Sequence, residues 1–276
     1  MSAPSLPIDQ TDAVAEQPTG SAIVFEDVHL SFEDNDVLRG VSFQLPYGET
    51  KALFGVAGSG KSTILKLALG LQAPDSGKIT VLGNEVTQMH ERDLFPLRDK
   101  LGMVFQESAL FDSLTVRENV AYRLMEERGV YDEAIDVRVR ESLRFVELEH
   151  TLDLFPSELS GGMRRRVAIA RAIITQPELL LYDSPTGGLD PVTSNTIVEL
   201  ITKQRDVYRT SSLLVTHRLQ THQFDPQTSQ MRVLPRGQYC DVPMTFLILR
   251  DGKVIFDGDI RQLAHTEDEY IREYIS

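Results

Sequence analysis

Two runs of alternating apolar residues stand near the start of the chain. They cover residues 22–32 and 41–45, and the turn-prone residues 33–36 lie between them. A period of two is typical of strands with one buried face, and clustered Asp and Asn residues favour a turn. The pattern therefore predicts a β-hairpin. Residues 1–20 hold three prolines and no long apolar run, so we expect a disordered N-terminal tail there.

Short apolar segments typical of buried strands recur along the rest of the chain. They predict strands at 51–54, 78–82, 103–105, 178–183 and 212–217, and a closing hairpin at 246–249 and 254–256. Between about residues 107 and 176 the apolar positions recur every three or four residues, which is the helical period. The chain is therefore expected to adopt an α/β fold with an inserted helical subdomain. An irregular segment at 222–243 and a C-terminal helix within 259–276 complete the prediction.

The stretch from Gly55 to Ser62 fits the phosphate-binding pattern G-x-x-x-x-G-K-[ST] at every defined position. It follows a predicted strand and opens a predicted helix, which argues against a glycine-rich turn that matches by chance. Backbone N–H groups and the helix N-terminus would surround a polyphosphate, Lys61 would reach its β- and γ-phosphates, and Ser62 would bind Mg²⁺. The predicted nucleotide-binding residues are Gly55, Val56, Ala57, Gly58, Ser59, Gly60, Lys61, Ser62 and Thr63.

Composition narrows the class of partner. The 28 basic and 41 acidic residues give a formal net charge of −13, which argues against a surface for non-specific nucleic-acid binding. Cys240 is the only cysteine, so a disulfide framework and a cysteine-rich zinc site are excluded. No apolar stretch approaches the ~20 residues that span a membrane. We expect a soluble chain that reaches any membrane through a partner.

The five residues Leu159-Ser160-Gly161-Gly162-Met163 stand about twenty residues before the acidic end of the predicted strand 178–183. Together with the phosphate-binding loop, Gln106 and His217, they make residues 22–258 resemble the nucleotide-binding subunit of ABC transporters. The resemblance implies an ATP-binding domain over 21–258. Its fold would be a P-loop NTPase core, with a mostly parallel sheet, an antiparallel N-terminal β subdomain and an inserted α-helical signature subdomain at about 107–176.

The resemblance also implies roles for single residues. Phe32 would stack on adenine, with a buried strand residue as the alternative. Asp183 would hold Mg²⁺, with a helix N-cap or a structural ion pair as the alternative. Gln106 would touch Mg²⁺ or the attacking water and relay that contact to a membrane partner. His217 would contact the γ-phosphate, and Asp190, in the D-loop (residues 188–190), would cross to a second subunit.

The signature residues imply a dimer. Ser160, Gly161, Gly162 and Met163 open a helix, so their N–H groups and the helix dipole would form a second anion site. In the family this site closes in trans on ATP bound by the other subunit, which implies a homodimer with two integral-membrane permease subunits. Four arginines on the same helix are interpreted as helix-solvating or subunit-bridging rather than as a nucleic-acid patch, because the chain is acidic: Arg164, Arg165, Arg166 and Arg171.

Met163 replaces the glutamine that most ABC subunits carry. With the sequence that follows it, the signature resembles the ATPases of Mla/Mce-type lipid transporters. That resemblance implies phospholipid transport in the bacterial envelope, an Mce-type lipid-binding or other substrate-binding protein in the complex, and a position on the cytoplasmic face of the inner membrane. An importer subunit for another substrate is an alternative. A soluble ABC ATPase acting on ribosomes or DNA is another, although those proteins usually carry two nucleotide domains or a long coiled coil.

Ser184 replaces the glutamate that normally activates water in this family. Serine cannot act as that base near neutral pH, and a positioned base contributes ~10²–10⁴-fold. We expect slow hydrolysis unless another group, for example His217, compensates. The chain would then be either a slow ATPase or a hydrolysis-impaired regulatory subunit, and Ser184 either natural or introduced to trap the ATP-bound state. Arg218, which follows His217, is a further departure from the family pattern.

Overall fold

The computed structural model describes residues 19–33, 35–129, 131–216, 224–225, 230–231 and 244–275. The predictions for residues 1–18, His217 and Arg218 lie outside the described residues, as does Cys240. Of the irregular segment 222–243, only two short antiparallel strands are described. They are Phe224–Asp225 and Gln230–Met231.

The described part of the chain contains twelve strands and eight α-helices. The strands are β1 (Ser21–Phe32), β2 (Asn35–Pro46), β3 (Thr50–Gly55), β4 (Ser76–Val81), β5 (Asn84–Glu85), β6 (Leu101–Val104), β7 (Leu179–Asp183), β8 (Ser211–Val215), β9 (Phe224–Asp225), β10 (Gln230–Met231), β11 (Met244–Arg250) and β12 (Lys253–Asp259). The helices are α1 (Lys61–Ala68), α2 (Glu91–Arg98), α3 (Val116–Arg128), α4 (Glu133–Phe145), α5 (Gly161–Ile173), α6 (Pro191–Tyr208), α7 (Ile260–Ala264) and α8 (Glu269–Ile275). Among the described helices, none has the length and apolarity needed to cross a bilayer.

A four-stranded antiparallel sheet contains the predicted N-terminal hairpin. Its order is β2-β1-β4-β5, and Phe32 pairs with Asn35 where β1 turns into β2. The apolar residues of β1 and β2 that alternate in the sequence are buried against α1, as a half-exposed sheet requires. The hairpin is therefore confirmed, with its turn at the place that the polar residues indicate.

A six-stranded sheet forms the centre of the molecule, in the order β12-β11-β3-β8-β7-β6. β11, β3, β8, β7 and β6 are parallel, and only the edge strand β12 is antiparallel. Every residue of β3 and β8 is buried, because the antiparallel sheet and α1 cover one face of the central sheet and other helices cover the opposite face. This mixed arrangement confirms the predicted α/β fold class. It also brings the carboxyl ends of β3, β8 and β7 to one edge.

The helices α3, α4 and α5 form a separate apolar layer with β6, β7 and α6. α3 begins with a capping box, in which Thr115 Oγ1 accepts from the Glu118 N–H (3.3 Å) and the Glu118 carboxylate accepts from the Thr115 N–H (2.8 Å). α3 ends at Gly129, whose φ of 73° is left-handed. These local signals fix where the helices begin and end, and the burial of their apolar faces holds them together.

The C-terminal segment corrects the prediction of one helix over residues 259–276. Two short helices form instead, α7 and α8, because each has its own N-terminal aspartate. Asp259 accepts from the Gln262 N–H (2.8 Å), and Asp268 accepts from the Ile271 N–H (3.1 Å). The strand predicted at 103–105 is also shifted, since β6 covers Leu101–Val104 and leaves Phe105 in the following loop.

Candidate functional site

The loop between β3 and α1 depends on glycine. Gly58 and Gly60 have φ angles of 80° and 94°, in the region that side chains disfavour. A Cβ on Gly60 would also lie 2.8 Å from Leu38 Cδ2, whereas Gly58 faces open space. The backbone can therefore turn tightly before α1 and present its N–H groups together with those of the first helical turn.

Lys61 places its ammonium group inside this loop. Nζ donates to the carbonyl oxygens of Gly55 (2.8 Å) and Val56 (2.7 Å) and lies 3.3 Å from Ser59 Oγ, and the residue is only 4% exposed. Burial lowers the pKa of Lys61, and the negative charge of Asp183 opposes this shift. The loop thus holds a cation beside a carboxylate at the carboxyl edge of the sheet.

Asp183 ends β7 at the level of the phosphate-binding loop. It pairs with Val215 on β8, which in turn pairs with Leu53 on β3, so two strand spacings of about 10 Å in all separate β7 from β3. Among the described residues Asp183 makes no ion pair, and it ends a strand rather than capping a helix. This position at the carboxyl edge of the sheet is compatible with the predicted Mg²⁺ role of Asp183.

The oxygen-bearing groups here suit a hard cation. Ser62 is the second residue of α1, Asp183 ends β7, and Gln106 follows β6 by two residues. They supply a hydroxyl, a carboxylate and an amide oxygen, the donor types that Mg²⁺ prefers. No cluster of three or more His, Cys, Asp or Glu side chains occurs in the described part of the chain. The chemistry fits a Mg²⁺ ion that also draws ligands from phosphate and water.

Ser184 lies directly beside Asp183 and is 2% exposed. Its φ is 46°, a left-handed value that is uncommon for serine, and its N–H donates to the Val215 carbonyl (2.9 Å). Its hydroxyl lies 3.5 Å from Asp183 Oδ1. A Cβ built on Gly187 would lie 3.5 Å from Ser184 Cβ and 3.9 Å from Gln106 Nε2. Gln106 and Ser184 therefore border the same position.

The loop from Gln106 to Leu114, the Q-loop, is held by side chains of two helices. Arg171 donates to the carbonyls of Ser108 (2.9 Å) and Ala109 (2.8 Å), which both have left-handed backbone angles. The Asn119 amide accepts from the Phe111 N–H (2.8 Å) and donates to the Phe111 carbonyl (3.0 Å). The sequence offered no signal for these tethers, because Asn119 stands 8 residues from Phe111 and Arg171 stands 62 residues from Ala109.

The signature residues form the exposed N-terminus of α5. Ser160 Oγ accepts from the Met163 N–H (3.2 Å), which is an ordinary N-cap, and both Ser160 and Gly161 are exposed. Gly162 packs against α6, since a Cβ there would lie 2.4 Å from Thr193 Cγ2.

Asp190 of the D-loop caps the neighbouring helix α6. Its carboxylate accepts from the N–H groups of Val192 and Thr193 (3.0 Å each) and from the Thr193 hydroxyl (2.5 Å). These hydrogen bonds, that of the Thr193 hydroxyl most of all, lower the pKa of Asp190. The carboxylate is thus ionised and fixed next to the signature residues.

The four arginines of α5 all donate to backbone carbonyls of their own chain. Arg164 is exposed and solvates α5, as the sequence interpretation has it, whereas Arg165 is buried. Arg164 binds the Leu159 carbonyl (2.9 Å), and Arg166 binds that of Val146 (3.1 Å). These carbonyls lie in irregular segments around α5 and take no part in helix or strand hydrogen bonding. The guanidinium groups donate the hydrogen bonds that they would otherwise lack.

Phe32 is 47% exposed at the end of the first hairpin, so the alternative of a buried strand residue does not apply. The structure brings the other predicted site residues that it describes together in two groups. The phosphate-binding loop, Asp183, Ser184 and Gln106 lie at the carboxyl edge of the central sheet. The signature residues 160–163 and Asp190 lie at the adjoining N-termini of α5 and α6.

Known proteins share these features. Residues 38–187 match the family model described as ABC transporter. The chain is 36% identical over 279 residues to "Protein TRIGALACTOSYLDIACYLGLYCEROL 3, chloroplastic" of Arabidopsis thaliana, covering 94% of this chain and 74% of that protein. It is 32% identical to the intermembrane phospholipid transport system ATP-binding protein MlaF of Haemophilus influenzae, covering 90% and 88%. It is 40% identical to the methionine import ATP-binding protein MetN of Bifidobacterium longum, covering 80% of this chain and half of that protein.

Solved structures agree with the sequence matches. The dimeric post-hydrolysis structure of the ATP-binding cassette MJ0796 bound to ADP and Pi superposes with a TM-score of 0.72 at 29% identity, covering 87% of this chain and 99% of that one. CbiO1 of Clostridium perfringens, part of the CbiONQ transporter complex, gives 0.75 at 26% identity, covering 92% and 94%. The family model, the relatives and the site geometry together show that this chain belongs to the ABC transporter family and carries its ATP-binding cassette.

Proposed function

We propose that this chain is the ATP-binding subunit of a transporter that moves phospholipids in the bacterial envelope. It works as a homodimer on the cytoplasmic face of the inner membrane, beneath two integral-membrane permease subunits. An Mce-type lipid-binding protein, or another substrate-binding protein, belongs to the same complex. ATP binding closes the dimer and hydrolysis opens it.

The main support for the lipid assignment is how much of one relative's length this chain covers. The Haemophilus protein named for phospholipid transport is covered over 88% of its length, whereas the Bifidobacterium methionine importer is covered over half. The Arabidopsis relative is named after a glycolipid, trigalactosyldiacylglycerol. Met163 in the signature is a further point of similarity to lipid-transport ATPases. The higher identity to the methionine importer favours the alternative, an importer subunit for another substrate.

Purification of the tagged full-length chain from the membranes of its host tests this assignment. Mass spectrometry would identify the proteins that co-purify in mild detergent and the lipids extracted with them. We expect an integral-membrane permease, a secreted lipid-binding protein and enriched phospholipid. A sugar-, peptide- or amino-acid-binding protein in their place would contradict the lipid assignment. If no membrane protein co-purified, the result would favour a soluble ABC ATPase.

The nucleotide is held by residues of one subunit. Lys61 exchanges the carbonyl oxygens of Gly55 and Val56 for β- and γ-phosphate oxygens, while the N–H groups of residues 55–63 surround the phosphates. Phe32 stacks on the adenine ring with the face that the hairpin leaves exposed. When Mg²⁺ is bound, by Ser62, Asp183 and Gln106, it offsets phosphate charge. His217 contacts the γ-phosphate.

The second subunit completes the site. Ser160, Gly161 and Gly162 lie at an exposed helix N-terminus, which carries N–H donors and a positive dipole end. In the dimer these donors bind the γ-phosphate held by the partner. The D-loop, whose Asp190 caps α6, lies beside them at the same interface.

The permease contact is assigned to the Q-loop. A groove of about 520 Å³ lies beside it, and Phe111 on its wall is 43% exposed while its ring packs 4.6 Å from that of Tyr122. The remaining apolar lining includes Leu69, Leu71, Leu101, Met103 and Phe105. A half-exposed ring in an apolar groove suits an amphipathic helix of a partner.

Replacing Phe111 with alanine tests this contact. We expect the variant to lose permease co-purification and permease-dependent ATPase activity while it still binds ATP. Phe95→Ala is the matched control, because Phe95 is 59% exposed on α2 and does not line the groove. Equal behaviour of the two variants would show that the permease binds elsewhere.

Ser184 favours a second candidate, a regulatory subunit that closes on ATP and hardly hydrolyses it. The buried hydroxyl beside Asp183 is no base near neutral pH, so it leaves the attacking water without a carboxylate. We expect Ser184→Glu to raise kcat by about 10²-fold or more, and Ser184→Ala to leave the low rate unchanged. Steady-state turnover of ATP measures both. A glutamate variant no faster than the parent would show that the missing base does not limit the rate.

A further inference from the structure

Arg165 is a buried cation whose hydrogen bonds reach two distant loops. It lies in the second turn of α5, right after the signature, and is 5% exposed. Nη1 donates to the Phe105 carbonyl (2.8 Å), and Nη2 lies 3.4 Å from the Gly187 carbonyl. Phe105 immediately precedes the Q-loop, and Gly187 immediately precedes the D-loop. One side chain therefore joins three segments of the site.

This arrangement costs stability. Burial lowers the pKa of Arg165, and the charge of Glu107 opposes that shift only in part. Nε is buried with no hydrogen-bond partner among the described residues. An incompletely satisfied buried charge is destabilising compared with an apolar side chain of similar size. Stability alone therefore does not explain an arginine at this position.

The other three arginines of α5 have hydrogen-bond partners different from those of Arg165. Arg164 and Arg166 follow the same helix, yet they bind carbonyls of the segment before α5 or of the end of α4. Arg171 donates to the Q-loop carbonyls of Ser108 and Ala109. Within the described part of the chain, Arg165 alone among these four contacts both the Q-loop side and the D-loop side.

We propose that Arg165 is a positioning residue that holds the Q-loop and the D-loop in fixed relation to the signature helix. A displacement of the Q-loop then moves the D-loop and the signature together, because all three share one guanidinium fork. Arg165 acts through the loops that carry Gln106 and Asp190 rather than on the nucleotide.

Amide hydrogen exchange of the full-length chain tests the proposal without relying on transport or substrate. In Arg165→Met we expect exchange to rise about tenfold in residues 105–112 and, together with them, in residues 185–191, because the loops lose charged hydrogen bonds. Arg165→Lys keeps the charge but not the planar fork, so it should loosen the same two segments. Arg166→Lys is the matched control and should leave both unchanged.

A kinetic measurement separates positioning from a role in binding. We expect both Arg165 variants to lower kcat for ATP about tenfold with KM unchanged, since misplaced loops impair the reaction while the phosphate-binding loop stays intact. Faster exchange throughout α3–α5, faster exchange in one loop only, or equal effects of Arg165→Lys and Arg166→Lys would overturn the proposal. The exchange result stands even if the chain proves to be a regulatory subunit.

Discussion

At the scale of single residues, two tyrosines show how hydrogen bonding decides the effect of a buried hydroxyl. Tyr182 precedes Asp183 in β7, is fully buried, and has no hydrogen-bond partner for its hydroxyl among the described residues. Tyr131 in the helical layer donates to Asp136 Oδ1 (2.6 Å). An orphan hydroxyl costs stability, whereas a paired one contributes to it.

We therefore expect Tyr182→Phe to raise the free energy of unfolding by about 1 kcal/mol and Tyr131→Phe to lower it by about 1 kcal/mol.

Burial raises the pKa of Tyr182, so the folded protein keeps the phenol proton at a pH where the unfolded chain loses it. The stability linked to this group is complete below pH 10 and falls as the pH rises above that. Urea unfolding at pH 8 measures the effect of the two substitutions, and repeating it at pH 11 measures the effect of pH. If the free energy of unfolding fell less between pH 8 and pH 11 in the wild type than in Tyr182→Phe, this account would be contradicted.

At the scale of elements, local signals in the sequence identified most strands and helices. Alternation indicated the β1–β2 hairpin, the apolar runs indicated β3, β7 and β8, and the glycine pattern indicated the loop before α1. The single C-terminal helix was wrong because two aspartates cap separate helices there. Apolar spacing reports the period of an element, whereas capping depends on individual hydrogen bonds.

The contact between α5 and α6 gives a prediction at this scale. Ala at position 162 would place Cβ 2.4 Å from Thr193 Cγ2, and Thr193 cannot turn away because its hydroxyl is bonded to Asp190. We expect Gly162→Ala to lower the free energy of unfolding by about 1–3 kcal/mol. Thr193→Ser, which removes Cγ2 and keeps the hydroxyl, should restore it in the double variant. Denaturant unfolding of the four proteins checks this, and failure of the rescue would place the strain elsewhere.

At the scale of the whole molecule, the sequence indicated where the site residues fall but not what holds them. Asp183 and Ser62 were both predicted to bind Mg²⁺, and the structure places Asp183 near the phosphate-binding loop because the carboxyl ends of parallel strands meet at one edge. The tethers from Asn119, Arg165 and Arg171 were not predicted, because a hydrogen bond from a side chain to a loop carbonyl leaves no periodic pattern in the sequence. The sequence interpretation of the arginines used only the net charge of the chain, which carries no information on such contacts.

Two copies of the chain are proposed to form each nucleotide site together. Each exposed signature is proposed to complete the nucleotide site of its partner, so ATP binding and dimerisation should respond differently to substitutions in the two halves of the site. Lys61→Met removes the cation of the phosphate-binding loop and should abolish both. Ser160→Arg fills the exposed helix N-terminus and should abolish dimerisation alone.

Sedimentation velocity of the full-length chain with and without MgATP is the most direct test. We expect ATP to convert the wild-type chain from monomer to dimer, and Ser160→Arg to stay monomeric while it still binds ATP. Ser157→Arg, which alters another exposed serine just before the signature, serves as the control and should dimerise normally. A Ser160→Arg protein that dimerises like wild type, or a wild-type chain that stays monomeric at saturating ATP, would contradict the composite site.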